Sequence, residues 1–202
     1  RELAAAAIGN GALDTISGTR IGNELRLLAT EPDPVAAFES VAALGLPWSI
    51  DAARVRAALE VLPADGRSDL LVLAGVLDPR QLDELGFTAC DRDAIVQGAR
   101  APDLARRLAK TTSRAEIART VGTSGIETVA LAFSQGAPSQ SLTWLQELRH
   151  RRLEITGTDL LDRGIPEGPL IGKALQAATD AMMDGEGPDR ESQLRVALEA
   201  AQ

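Results

Sequence analysis

The chain has 202 residues, 45% of them hydrophobic, and a formal net charge of −8. That is enough apolar material for a sizeable core in one compact or two small domains. A single cysteine, Cys90, excludes an internal disulfide and a cysteine-built zinc cluster, and a single histidine, His150, excludes a histidine-rich metal site.

No apolar run approaches the ~18 residues of a membrane span, and no signal-peptide layout is present, so a soluble cytoplasmic protein is expected. Arg1 stands inside a helix-like run without an initiating Met. A fragment or processed chain is expected on that ground.

Helix signals then follow one another along the chain. Ser17 is placed to cap a helix carrying Ile21, Leu25 and Leu28 on one face. Asp33-Pro34 starts the next, with Val35, Phe38 and Val41 or Ala42 inward and Gly45 at its end. Asp51 opens a run to Leu62, and Pro63 to Gly66 forms a turn. Residues 67–77 form an apolar helix, and Asp78-Pro79 begins a short one that stops at Gly86. Thr88 or Asp91 starts a run to Ala99, and Pro102 starts one to Ala109.

Ser113 with Glu116, and Ser124 with Glu127, have the spacing of capping boxes, in which hydroxyl and carboxylate satisfy the open backbone donors of a helix start. Gly136 to Pro138 is a loop before a helix with Leu142, Leu145 and Leu148. Gly164 can close a short helix, and Pro169 suits the first turn of the next, which carries Leu170, Ile171, Ala174, Leu175, Ala178 and Met182 and ends at Asp184-Gly185. A last helix falls near Asp189 to Ala200. Alternating β patterns are nearly absent. The pattern predicts an all-α fold, an irregular array of about a dozen short helices.

Charge is uneven. From Arg100 to Arg152 there are nine Lys/Arg against four Asp/Glu, and elsewhere twelve against twenty-five. A basic middle on an acidic chain is the layout of a localised anion-binding face, with chance clustering as the alternative. Trp48, Trp144, Phe38, Phe87 and Phe133 sit within apolar runs and read as core, so an aromatic platform for stacking bases is not expected.

The stretch Arg149 to Gly185 resembles the C-terminal signature of bacterial class II tRNA nucleotidyltransferases, the CCA-adding enzymes and their poly(A) polymerase relatives. Its parts are Leu153 to Gly157, Asp159 to Leu161, and Gly164 through Gly172. Ile16 to Leu25, then Leu27-Leu28 and Pro32 to Pro34, resembles the family's helical neck, with Ser17, Arg20 and Glu24 in the neck motif. Thr19 departs from the Glu usual there, and residues from about 67 to 136 match only loosely.

The resemblance implies a neck-body-tail architecture, with a neck-like, RNA-binding-like domain over 1–64 and a body and tail over 65–202. It also implies nucleotidyl transfer by a head that uses Mg and ATP or CTP. No stretch here supplies that head. Asp91 and Asp93 have D-x-D spacing, but at a helix start, where acids favour the helix dipole. Gly172-Lys173 lacks the frame of a phosphate loop, and Gly9 to Gly11 lacks that of a dinucleotide turn. No catalytic or metal-binding residue and no cofactor is therefore assigned to this chain.

What remains is RNA contact. Arginine offers a planar fork to phosphate oxygens, and a solvated helix face is the plainer reading of each residue. The expected set is Arg106, Arg107, Lys110, Arg114, Arg119, Arg149, Arg151 and Arg152, with Lys173 and the helix start at Gly168 added. Arg107, Lys110 and Arg114 have the spacing of a shared helix face unless Thr112-Ser113 breaks it. The partner would be tRNA or another structured RNA, read by backbone and shape. The alternative is a helical protein–protein module, such as a homodimer interface.

Overall fold

The computed structural model describes residues 2–201. Among them are thirteen α-helices and no strand, so the all-α expectation holds. In chain order the helices are α1 (Glu2–Gly9), α2 (Gly18–Ala29), α3 (Pro34–Ala42), α4 (Ala52–Val61), α5 (Ser68–Val76), α6 (Ala89–Gly98) and α7 (Ala101–Leu108). They continue with α8 (Arg114–Val121), α9 (Ile126–Phe133), α10 (Pro138–Gln146), α11 (Gly157–Leu161), α12 (Pro169–Asp184) and α13 (Arg190–Ala200). No helix among the described residues is long and apolar enough to cross a membrane.

The chain divides into two compact units. The first holds residues up to Ala109 together with Thr123–Ser141; the second holds Lys110–Gly122 and the chain from Leu142 onward. This differs from a division at 64/65. Helices α4 and α5 stand on either side of that point, yet they pack on each other and both pack on α9. Apolar contact, rather than the Pro63 to Gly66 turn, decides the grouping.

In the first unit, Ser17, Asp33, Asp51 and Thr88 each accept a backbone N–H two or three residues into the following helix, as their positions before apolar runs predict. Thr88, not Asp91, is the cap of α6. Phe38, Leu25, Leu71, Leu73, Ile95, Leu104 and Leu108 are fully buried. Helix α1 has no buried residue.

The packing of α2 rests on small residues. Side chains built at Gly18 and Gly22 would put a Cβ 2.2 Å from the Glu84 carbonyl oxygen and 2.0 Å from that of Leu85. Here α2 lies directly against backbone. Phe87 follows under Arg26, whose guanidinium carbon is 4.1 Å from the ring centroid. The same guanidinium donates to the Gly86 carbonyl at 2.8 Å.

Two sequence expectations change in this unit. The Ser124–Glu127 box does not form: Gly125 is the N-cap of α9, without a side-chain bond. Glu127 instead accepts the Arg67 backbone N–H at 2.8 Å, at the start of α5. A long-range donor took the carboxylate that spacing had assigned locally. Among the aromatics, Phe38 and Phe87 are core, but Trp48 and Phe133 are only half-buried. Trp48 lines an apolar cleft of about 270 Å³ with Leu13, Ile16, Ile21, Leu28 and Val41. Arg20 and Glu24 also line it; both are exposed, with no ion pair among the described residues.

Candidate nucleic-acid interface

The second unit is organised on α12. Its approach begins at α11, where Thr156 accepts the Asp159 N–H and the Asp159 carboxylate accepts the Thr156 N–H at 2.7 Å. Gly164, at φ 88°, turns the chain out of α11. Gly168, at φ 145°, leads into Pro169 at the first helical turn. Ile155, Leu160, Ala174, Ala178, Leu194 and Ala197 form the buried cluster, with Leu153, Ile165, Ile171 and Leu175 packed on it. Of the residues that carry the sequence resemblance in this stretch, Ile155 and Leu160 belong to that core, whereas Leu161 and Leu170 are exposed. Gln193, fully buried, ties the stretch down by accepting the Glu154 N–H at 2.8 Å and donating to the Gly187 carbonyl at 3.2 Å.

At the far end of α12, Gly185 takes the left-handed conformation (φ 91°) that ends a helix. Its last carbonyls receive a cation. Arg151 Nη1 donates to Met182 O at 2.5 Å and to Met183 O at 3.4 Å, where the helix dipole favours positive charge. Helix α8 packs on α12 and on the short 3₁₀ turn Leu148–His150. Three polar contacts fix that packing. Asp184 Oδ1 accepts the Ala115 N–H at 2.8 Å, Asp180 stands 3.6 Å from Arg119 Nε, and Glu147 pairs with Arg114. The Ser113 hydroxyl accepts the Glu116 N–H, as expected of a cap, while the Glu116 carboxylate accepts mainly from the Thr112 N–H and hydroxyl, with the Ser113 backbone a smaller contributor.

These contacts sort the predicted RNA-facing residues by what they already hold. Arg114, Arg119 and Arg151 are bound within the unit. Arg149 donates to Leu145 O at 2.8 Å. Arg152 is exposed and spends one nitrogen on the carbonyls of Arg149 and Arg151, leaving the rest of its fork to solvent. With Arg151 it lines a cleft of about 250 Å³ that also includes Glu154 and Gln193. Lys110 and Lys173 are exposed, with no ion pair or hydrogen bond among the described residues.

The set also divides in space. Arg114, Arg119, Arg149, Arg151 and Arg152 gather on α8 and the segment around the C-terminal end of α12, and Lys110 lies in the same unit, four residues before α8. Gly168 and Lys173 lie toward the N-terminal end of α12, and that helix is about 24 Å long at 1.5 Å per residue. Arg106 and Arg107 belong to the first unit, where Arg106 pairs with Asp103. The break that Thr112-Ser113 could make between Arg107, Lys110 and Arg114 is present, so no single helix carries all three. Helix α7 ends at Leu108, Arg114 begins α8, and Thr112 and Ser113 cap the break.

The acids that cap this unit are tuned by their hydrogen bonds. Asp159 is held below its usual range by the Thr156 N–H and hydroxyl, Asp189 by those of Ser192, and Glu116 by those of Thr112. A depressed folded-state pKa contributes stability above the unfolded value, and that contribution is lost as pH falls through the folded one. The urea midpoint of the chain should therefore hold steady down to about pH 5 and fall below about pH 4, where carboxylates protonate. A midpoint unchanged at pH 3 would contradict this assignment.

No family model and no curated protein matches the chain. Solved structures do. A Thermotoga maritima CCA-adding enzyme complexed with tRNA matches with TM-score 0.72 at 19% identity, over 98% of this chain and 55% of its own. A CCA-adding enzyme in complex with ATP matches with TM-score 0.72 at 19% identity, over 98% and 54%. An apo form matches with TM-score 0.69 at 20% identity, over 96% and 53%. The chain spans about half the length of these structures, and over that half it has the fold of a CCA-adding enzyme.

Proposed function

We propose that the chain is the neck-to-tail, RNA-gripping part of a tRNA nucleotidyltransferase, a protein that adds nucleotides to RNA 3′ ends. The observation that carries this reading is the fold match, across 98% of the chain, to a CCA-adding enzyme complexed with tRNA. The cations around the C-terminal end of α12 support it. Lys110 and the free edge of Arg152 can pair with phosphate oxygens, while Arg114, Arg119 and Arg151 hold the surface that presents them. Among the described residues no group of three or more His, Cys, Asp or Glu could hold a metal ion.

Titrating tRNA into the chain at low and raised salt tests the proposal. Binding that weakens steeply with salt is expected, because displaced counterions return to the RNA. Affinity undetectable at low salt, or indifferent to it, overturns the reading.

A second reading, a helical protein–protein or homodimerisation module, has one observation in its favour: the apolar cleft beside α2, with α1 unburied and Leu3 89% exposed. Association that rises with protein concentration, without RNA binding, would favour it.

A further inference from the structure

Asp184 is an acid on the surface assigned above to RNA, and it ends α12 in the Asp-Gly pair that the RNA reading leaves without a role. Its carboxylate accepts the backbone N–H of Ala115, the second residue of α8, at 2.8 Å. Ser113 accepts the N–H of the third residue, at 3.2 Å, so two open donors of that helix start are satisfied by two different segments. Ala115 itself is buried, and its N–H would have no partner in this place without Asp184. Gly185 then turns away left-handed, which leaves the carboxylate at the start of α8 and clear of the continuing chain.

We propose that Asp184 is a positioning residue for RNA binding: it anchors the start of α8 to the end of α12 and so holds Lys110, four residues before Arg114, in the phosphate-facing place. This rests on the RNA-gripping reading. Among the described residues the Lys110 side chain has no bond of its own to fix it, and the backbone leading from it runs through Thr112, whose N–H is held by Glu116 at 2.7 Å. Asp184 and the Ser113–Glu116 cap hold the α8 end of that approach.

The sign of the effect separates positioning from plain electrostatics. Removing a negative charge beside a polyanion strengthens binding when charge is all that matters. Positioning requires the opposite. With the 202-residue chain and tRNA, Asp184→Ala is expected to bind more weakly, with the slope of log affinity against log salt reduced by about one as the Lys110 contact is lost. Asp184→Asn keeps an oxygen acceptor for the Ala115 N–H without the charge, and is expected to restore wild-type affinity or nearly so.

Circular dichroism on each variant shows whether the helices are retained. If Asp184→Ala loses its cooperative melt, Asp184→Asn carries the test, and binding tighter than that of the unaltered chain overturns the proposal. Equal or tighter binding by a folded Asp184→Ala overturns it too, while leaving the RNA reading intact. No binding by the unaltered chain overturns both.

Discussion

Reversing Lys110 and Arg152 together, as Lys110→Glu with Arg152→Glu, is expected to weaken tRNA binding by more than an order of magnitude and to lower the salt slope by about two, one for each phosphate contact removed. These two residues are chosen because the fold does not depend on their charge. Lys110 has no partner among the described residues, and Arg152 bonds only backbone carbonyls of its own segment. Helicity and the urea midpoint should therefore stay close to those of the unaltered chain, as surface substitutions usually leave them.

The contrasting variant is Arg151→Glu. Arg151 caps the last carbonyls of α12, so reversal there places negative charge against the negative end of a helix and should cost stability as well as affinity. Equal affinity in the Lys110/Arg152 double variant and the unaltered chain would remove this surface from the RNA contact. A homodimer that dissociates in the same double variant would support the protein–protein reading instead.

Gly22→Ala should produce the largest loss of stability from a single methyl group. A Cβ at position 22 lies 2.0 Å from the Leu85 carbonyl oxygen, well inside any real contact, and the obstacle is backbone rather than a side chain that could swing aside. Helix α2 would have to lift from residues 84 and 85, loosening its packing on α5 and disturbing Arg26 over Phe87. Overpacking of this kind costs about 1–3 kcal/mol, and the rigidity of the neighbour places this case near 3. Urea unfolding would measure it. Gly9→Ala makes the matched control: nothing lies within 4 Å of a Cβ there and the position is helical, so the same added methyl should be neutral or mildly stabilising. A Gly22→Ala midpoint equal to that control would contradict the close approach.

Gly22 marks the reach of local pattern. Gly18 and Gly22 are one helical turn apart in the segment that resembles the neck, and only the opposing backbone gives that spacing its packing role. The spacing of small residues was the available signal. What it opposes, a loop some 60 residues later, cannot be read from local periodicity. Glu127 teaches the same lesson in reverse: its spacing from Ser124 is that of a capping box, but the Arg67 N–H is within reach only once α5 and α9 have packed. Reciprocal boxes form instead at Thr156 with Asp159 and at Asp189 with Ser192, pairs outside the two with Ser-Glu spacing.

The amino-acid order by itself determined the all-α class, the caps at Ser17, Asp33, Asp51 and Ser113, the breaks at Gly164 and Gly185, and the helix start at Gly168-Pro169. These depend on contacts within one helical turn, where backbone donors, proline rings and left-handed glycines act on their immediate neighbours. Its motifs also pointed to the fold that CCA-adding enzymes share with this chain. Only the tertiary structure decided which arginines are free to meet a ligand. Arg114, Arg119 and Arg151 look alike in sequence to Arg152, but Glu147, Asp180 and the Met182 carbonyl claim them across 33, 61 and 31 residues of chain. A charged side chain is committed by what packing brings within about 4 Å of it, and that distance is set by the fold as a whole.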